Sequence, residues 1–234
     1  MKILAIECSA VPASCAVMEN GKIIASSFVN VRLTHSQTLL PMAVATMNSA
    51  GINCNEIDGF AVSHGPGSFT GIRIGISAVK GLAAPKNTPC VGVSALESMA
   101  YNFIDTNCIV CAVMDARCNQ VYNALFRVKN GNIERLVPDR ALMCEELAEE
   151  LKQIKEKIII VGDGTEVFAP FVENNESVVL SHPTRRYQSA VGVALLAEKA
   201  FKNNETVTPD KLLPLYLRLP QAERELAAKQ NNKK

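Results

Sequence analysis

The residues Lys2–Val29, KILAIECSAVPASCAVMENGKIIASSFV, and Cys108–Val137, CIVCAVMDARCNQVYNALFRVKNGNIERLV, are written to one plan. In the first, KILAIE and SCAVME read as two strands around a turn, and Asn20-Gly21 is a hairpin signal leading into a third, KIIASSFV. In the second, CIVCAVMDA and QVYNALFRV are again two strands, and Asn130-Gly131 leads into NIERLV. Helix and strand then alternate after each triplet. In the first half Thr34 or Ser36 caps a helix running to about Gly51, DGFAVSH is a buried strand, Phe69 to Ala84 is a second helix, PCVGV is a strand, and a further helix starts at Ser94. The second half follows with a helix near Cys144 to Lys155, the strand KIIIVG, a short helical segment, the strand SVVL and a helix from Tyr187 to Phe201. Three strands followed by alternating helix and strand make one sheet covered by helices. Its repetition predicts an α/β protein of two ribonuclease-H-like lobes, joined near Asp105, with a cleft between them. The expected division is residues 1–105, residues 106–220 and a polar tail over 221–234.

The totals narrow the function. A chain of 234 residues with 48% apolar side chains buries one large core or two small ones. Its 24 basic and 23 acidic residues leave a net charge of +1, so no general field attracts nucleic acid or anionic lipid. The densest basic spot, Arg185-Arg186 beside Tyr187, reads as a solvated pair, which predicts weak, nonspecific tRNA binding by the chain alone. Glu7 interrupts the first apolar run before a signal-peptide core forms, and no stretch nears the roughly 18 apolar residues of a membrane span. The eight cysteines are scattered through apolar segments and read as reduced core thiols. Cys108 and Cys111 form a C-x-x-C, but on a strand residues three apart point to opposite faces, which disfavours a shared metal or disulfide.

Three further stretches, SHGPGSFTGIRIGISAVKGLA (63–83), VMDARCNQVYNALF (113–126) and LLPLYLRLPQAERE (212–225), resemble the bacterial TsaB family, also called YeaZ, in order and spacing along nearly the whole chain. The resemblance implies an actin-like, sugar-kinase-like (ASKHA) fold and a cytoplasmic role in making threonylcarbamoyladenosine on tRNA, at the adenosine next to the anticodon of ANN-decoding tRNAs. It implies a non-catalytic scaffold subunit that dimerises with its paralogue TsaD, the bearer of the catalytic site. The ATPase TsaE is recruited to the pair, TsaC supplies threonylcarbamoyl-adenylate, and tRNA is met only through the complex. It also implies homodimers when the chain is alone. The competing reading is an ATP-dependent small-molecule kinase or ATPase of the same fold.

The candidate sites separate these readings. Kinases of this fold clamp phosphate with the turn between the first two strands, here Glu7-Cys8-Ser9-Ala10-Val11-Pro12-Ala13-Ser14. It has no glycine to aim several N–H groups at one anion, and Glu7-Cys8 departs from the Ile-Asp-Thr-Ser start usual in the resembled family. The matching turn Asp115-Ala116-Arg117-Cys118-Asn119 also lacks glycine, and a local Asp115–Arg117 ion pair accounts for its charges. Gly162-Asp163-Gly164 lies where this fold meets adenine and ribose, so Asp163 is the candidate for residual nucleotide contact; no cofactor is otherwise expected. No metal is expected either. TsaD resembles a metalloprotease family through a helical His-x-x-x-His, whereas here His35 is followed four residues on by Leu39, which disfavours a zinc peptidase. Gly65-Pro66-Gly67 with Ser68 as helix cap offers an anion turn, but lacks the G-x-x-x-x-G-K-[ST] spacing. The helix after it is apolar almost all round, so it needs cover on two sides. We therefore expect docking of another subunit on the two first-lobe helices, through Leu39, Leu40, Ala43 and Met47 of one and Gly71, Ile72, Gly75, Ile76 and Val79 of the other. In that reading Gly75→Trp overfills an intersubunit groove and leaves the fold intact.

Overall fold

The computed structural model describes residues 1–218 of the chain. Residues 219–234, which include the expected tail, lie outside the described residues. The first sheet is built from β1 (Lys2–Glu7), β2 (Ala13–Glu19), β3 (Lys22–Val29), β4 (Gly59–Gly65) and β5 (Cys90–Ser94) in the order β3-β2-β1-β4-β5. The second is built from β6 (Cys108–Asp115), β7 (Gln120–Lys129), β8 (Asn132–Met143), β9 (Ile158–Val161) and β10 (Val178–Leu180) in the order β10-β9-β6-β7-β8. Read from the other edge, the second order repeats the first. In both sheets the leading hairpins are antiparallel, and the fourth and fifth strands join in parallel. The hairpin asparagines Asn20 and Asn130, each followed by a glycine, take the positive φ that such turns require.

The helices are α1 (His35–Ser49), α2 (Phe69–Ala83), α3 (Ala95–Ala100), α4 (Cys144–Lys152), α5 (Thr165–Phe168), α6 (Pro183–Arg186) and α7 (Ala190–Lys202). Ser68 caps α2 by accepting the Gly71 N–H, and Ser94 caps α3 by accepting that of Glu97. Thr34 begins α1 without a side-chain cap, and Tyr187 stays extended, so the last helix starts three residues later than the periodicity suggests.

The inner strands of both sheets are buried on both faces, which explains why they read as apolar runs instead of alternating patterns. Along β1, Leu4 and Ile6 pack under α1 and α2, while Ile3 and Ala5 pack with Val193, Ala194 and Ala197 of α7. Along β6, Ile109, Cys111 and Val113 pack with Leu147 and Leu151 of α4, while Val110, Ala112 and Met114 pack with Leu96, Met99 and Ala100 of α3. Cys108 and Cys111 accordingly enter different cores, and all eight cysteines are free. Two helices cross the line at Asp105: α3, from the first half, covers the second sheet, and α7, from the second half, covers the first. Gly192 lets α7 approach closely, since a Cβ there would stand 2.2 Å from the Ser98 carbonyl oxygen of α3. The halves are thus clasped by exchanged helices.

Candidate docking face and interlobe seam

The inward side of α2 is closed by its own lobe. A Cβ on Gly71 would stand 2.2 Å from the Cys8 carbonyl oxygen, and one on Gly75 would stand 2.6 Å from Cys8 Sγ and 3.1 Å from Val62. The glycines are there so that the helix can lie on the β1–β2 turn, and no groove for a second helix remains between them. This corrects most of the docking assignment: Leu39, Ala43, Met47, Gly71, Ile72, Gly75, Ile76 and Val79 are all buried in the first lobe. Of the nine residues only Leu40 reaches the surface. The stripe at steps of three and four was the side facing the sheet, and small residues in it served backbone approach within the lobe.

The opposite side of the same helices is the exposed apolar one. Leu40 and Val44 of α1 are 44% and 48% exposed. With Ile74 and Ala78 of α2, Leu40 lines an open groove of about 400 Å³, bordered by His35, Ser36, Arg73 and Ser77. The groove is anchored at its edges. His35 Nε2 lies 2.7 Å from the Ala10 carbonyl oxygen, and Arg73 donates to the Tyr216 hydroxyl at 2.7 Å while lying over that ring, which stacks on Phe69 at 4.6 Å. Sequence reading saw Val44, Ile74 and Ala78 as apolar helix positions but left them out of the docking set. Their signal was present as apolar residues off the main stripe, where a helix with only one covered side carries polar ones.

The three candidate nucleotide elements meet at the seam between the sheets, each arriving from the end of a strand. The Glu7 carboxylate accepts the Ser9 N–H at 2.6 Å and the hydroxyl of Ser63, so it is held inside the first lobe. Ser9 in turn accepts the Ser68 N–H at 2.7 Å, and a Cβ on Gly67 would meet the same oxygen at 2.3 Å. The loop that looked like an anion turn is therefore pinned on the β1–β2 turn, and the Leu215 backbone covers its start by donating to the His64 carbonyl. Burial pushes the Glu7 carboxyl up, against the opposing hydrogen bonds from Ser63 and Ser9.

In the second turn Asp115 accepts the Arg117 N–H at 2.7 Å and pairs with its guanidinium at 3.1 Å, the ion pair the sequence suggests. Arg117, Cys118 and Asn119 all take positive φ, so this turn reaches a left-handed conformation without glycine, at a strain on the order of 1 kcal/mol per residue. Asp163 accepts from Gln188 Nε2 at 2.7 Å, and burial pushes its carboxyl up to about 6. Among the described residues no group of three or more His, Cys, Asp or Glu is arranged to hold a metal, and no helix is long and apolar enough to cross a membrane.

Paired sheets of one order, joined across a seam at the ends of their first strands, define an actin-like, sugar-kinase-like (ASKHA) protein. The family model described as "TsaD: tRNA N6-adenosine threonylcarbamoyltransferase" matches residues 29–226. The chain is 31% identical over 225 residues to the tRNA threonylcarbamoyladenosine biosynthesis protein TsaB of Bacillus subtilis (strain 168), covering 95% of this chain and 96% of that protein. It is also 31% identical over 233 residues to the TsaB of Escherichia coli (strain K12), at 98% and 100% coverage. The solved structure of YeaZ from Pseudomonas aeruginosa is similar with a TM-score of 0.80 at 27% identity, covering 92% of this chain and 99% of that one. The chain belongs to the TsaB (YeaZ) family, a branch of the TsaD-like fold.

Proposed function

We propose that this chain is a non-catalytic scaffold subunit in the formation of threonylcarbamoyladenosine on tRNA, working in the cytoplasm by docking against a TsaD-type paralogue. The observation that carries the reading is the uncovered apolar face of α1 and α2, with its groove around Leu40, Ile74 and Ala78. Two helices from each of two chains of one fold make a four-helix contact, with the apolar side chains at the seam and Arg73 and Ser77 at its rim. TsaE joins that pair, and tRNA is reached through the assembly. In the absence of the paralogue a second copy of the chain takes the same face. The family membership and the names of the relatives support the pathway; the groove supports the manner of action.

The seam supports the same reading over a kinase or ATPase. A phosphate clamp needs free, convergent N–H groups, whereas the Ser9 N–H goes to Glu7 and the Ser68 N–H to Ser9. Reconstitution is the test. The chain alone is expected to hydrolyse no ATP and to transfer no threonylcarbamoyl group, while a mixture of TsaC-, TsaD- and TsaE-type proteins is expected to modify tRNA only when the chain is added. Turnover by the chain alone, abolished by Glu7→Ala or Asp115→Ala, would make it an enzyme; full activity of the mixture without it would remove the scaffold role.

A further inference from the structure

The seam holds acids for which the docking reading has no use. Gln188 is fully buried just before α7, the helix that covers the first sheet, and Asp163 follows β9 of the second. Their hydrogen bond at 2.7 Å therefore ties one sheet to the helix seated on the other. The N-terminus of α7 is fixed to the first sheet by the Ala190 N–H, which donates to Ser14 Oγ at 2.8 Å. The bond leaves one atom unexplained: the buried Gln188 Oε1 has no donor. A buried carbonyl oxygen without a partner is costly, and a carboxylate cannot provide one, because an ionised carboxylate only accepts.

A carboxylic acid can. It accepts at one oxygen and donates from the other, matching the two functions of a primary amide. We propose that Asp163 and Gln188 form a proton-operated latch between the lobes, closed as a two-bond acid–amide pair when Asp163 carries a proton and loosened to a single bond when it does not. The proton goes to and comes from solvent, and no other bond changes.

The surroundings of Asp163 favour the neutral form. Asp115 and Glu7 face it with like charge. The other ionisable side chains of the seam have partners of their own. Arg117 is paired with Asp115, Arg186 bonds the Ser181 carbonyl and lies 3.7 Å from Glu166, and the His35 ring is held at the Ala10 carbonyl. Burial is the largest influence and outweighs the hydrogen bond from Gln188, which favours the ion, so the carboxyl is pushed up to about 6, well above an ordinary aspartate. The device goes beyond the docking role and stands or falls apart from it.

The chain contains no tryptophan, so Tyr187→Trp places a single tryptophan, excited apart from the tyrosines, beside Gln188. Its emission is followed from pH 4.5 to 8, with circular dichroism as the check on folding, in the Tyr187→Trp chain and in the same chain carrying Asp163→Asn. Asparagine keeps an acceptor and a donor without titrating. The expected result is an emission shift with its midpoint near pH 6 that disappears in the Asp163→Asn chain. A shift that persists there, traceable to the histidines, overturns the latch, as does a flat profile in both. Where Asp163→Asn does not fold, Asp163→Ser, smaller and equally uncharged, takes its place with the same two outcomes.

Discussion

The helices α1 and α2 of the first half and α4 of the second cover corresponding faces of the two sheets, yet their outward sides differ. Each of the first pair runs for 15 residues, and their outer side carries exposed Leu40 and Val44 of α1 and half-buried Ile74 and Ala78 of α2. The second runs for nine residues and shows Glu145, Glu146, Glu149 and Lys152, with Arg140 of β8 paired to Glu150. Inward they are alike, since Leu147 and Leu151 fill the second core as Leu39 and Ile72 fill the first. Duplication kept the half of each helix that builds the fold. The half that meets the outside differs, charged on α4 and apolar on α1 and α2.

That contrast can be broken most severely from within. Gly75→Trp places an indole where a single Cβ already meets Cys8 and Val62, so we expect the first lobe to lose its fold, at a cost above about 3 kcal/mol. Ile76→Glu buries an unpaired carboxylate with a similar result. Thermal melting by circular dichroism checks both; a Gly75→Trp chain melting like the parent would show that the helix stands off its sheet and that its small residues face outward after all.

The seam sharpens the comparison in a second way, because it belongs to both halves. Asp163 has its carboxyl raised to about 6, so the folded chain holds that proton more tightly than the unfolded one, whose aspartates titrate near 3.9. Its contribution to stability is present below about pH 4 and is lost as the pH rises through 6. Asp163→Asn is expected to remove that decline and to melt several degrees higher than the parent at pH 8, and an unchanged melting difference across pH would contradict this.

The smallest effect is expected on α4. Glu145→Lys and Glu149→Lys alter a solvated face, so stability should move by about 0.5 kcal/mol or less and reconstituted tRNA modification should not change. A loss of modification would place a partner on the second half and dissolve the contrast between the two outward faces.

Most of the fold was legible because three strands and a hairpin Asn-Gly recur in each half and the inner strands of the sheets are buried on both faces. What periodicity does not encode is which sheet a helix covers, and α3 and α7 each cover the sheet of the other half. The exposed apolar face proposed for docking was half legible. An apolar helix seen all round announces two covered sides, and the stripe at steps of three and four carries no label saying which side is core. Gly71 and Gly75 looked like an invitation to a second helix because close approach to a turn and close approach to a helix need the same missing Cβ. The seam was hidden for another reason. Glu7 is far in sequence from Asp163 and Gln188, and only the crossing of α7 onto the first sheet closes the seam between them.

The central claim is that the outer side of α1 and α2 is where this chain meets a TsaD-type paralogue, and Ile74→Glu combined with Leu40→Glu tests it most directly. Leu40 is exposed and Ile74, half-buried, only borders the first core, so the double variant should stay folded and lose about 1 to 2 kcal/mol at most. Sedimentation with the paralogue should then show association weakened at least thirtyfold, about 2 kcal/mol, as expected for charges placed at the centre of an apolar contact. A folded double variant that pairs with the paralogue at the parent's affinity would contradict the account.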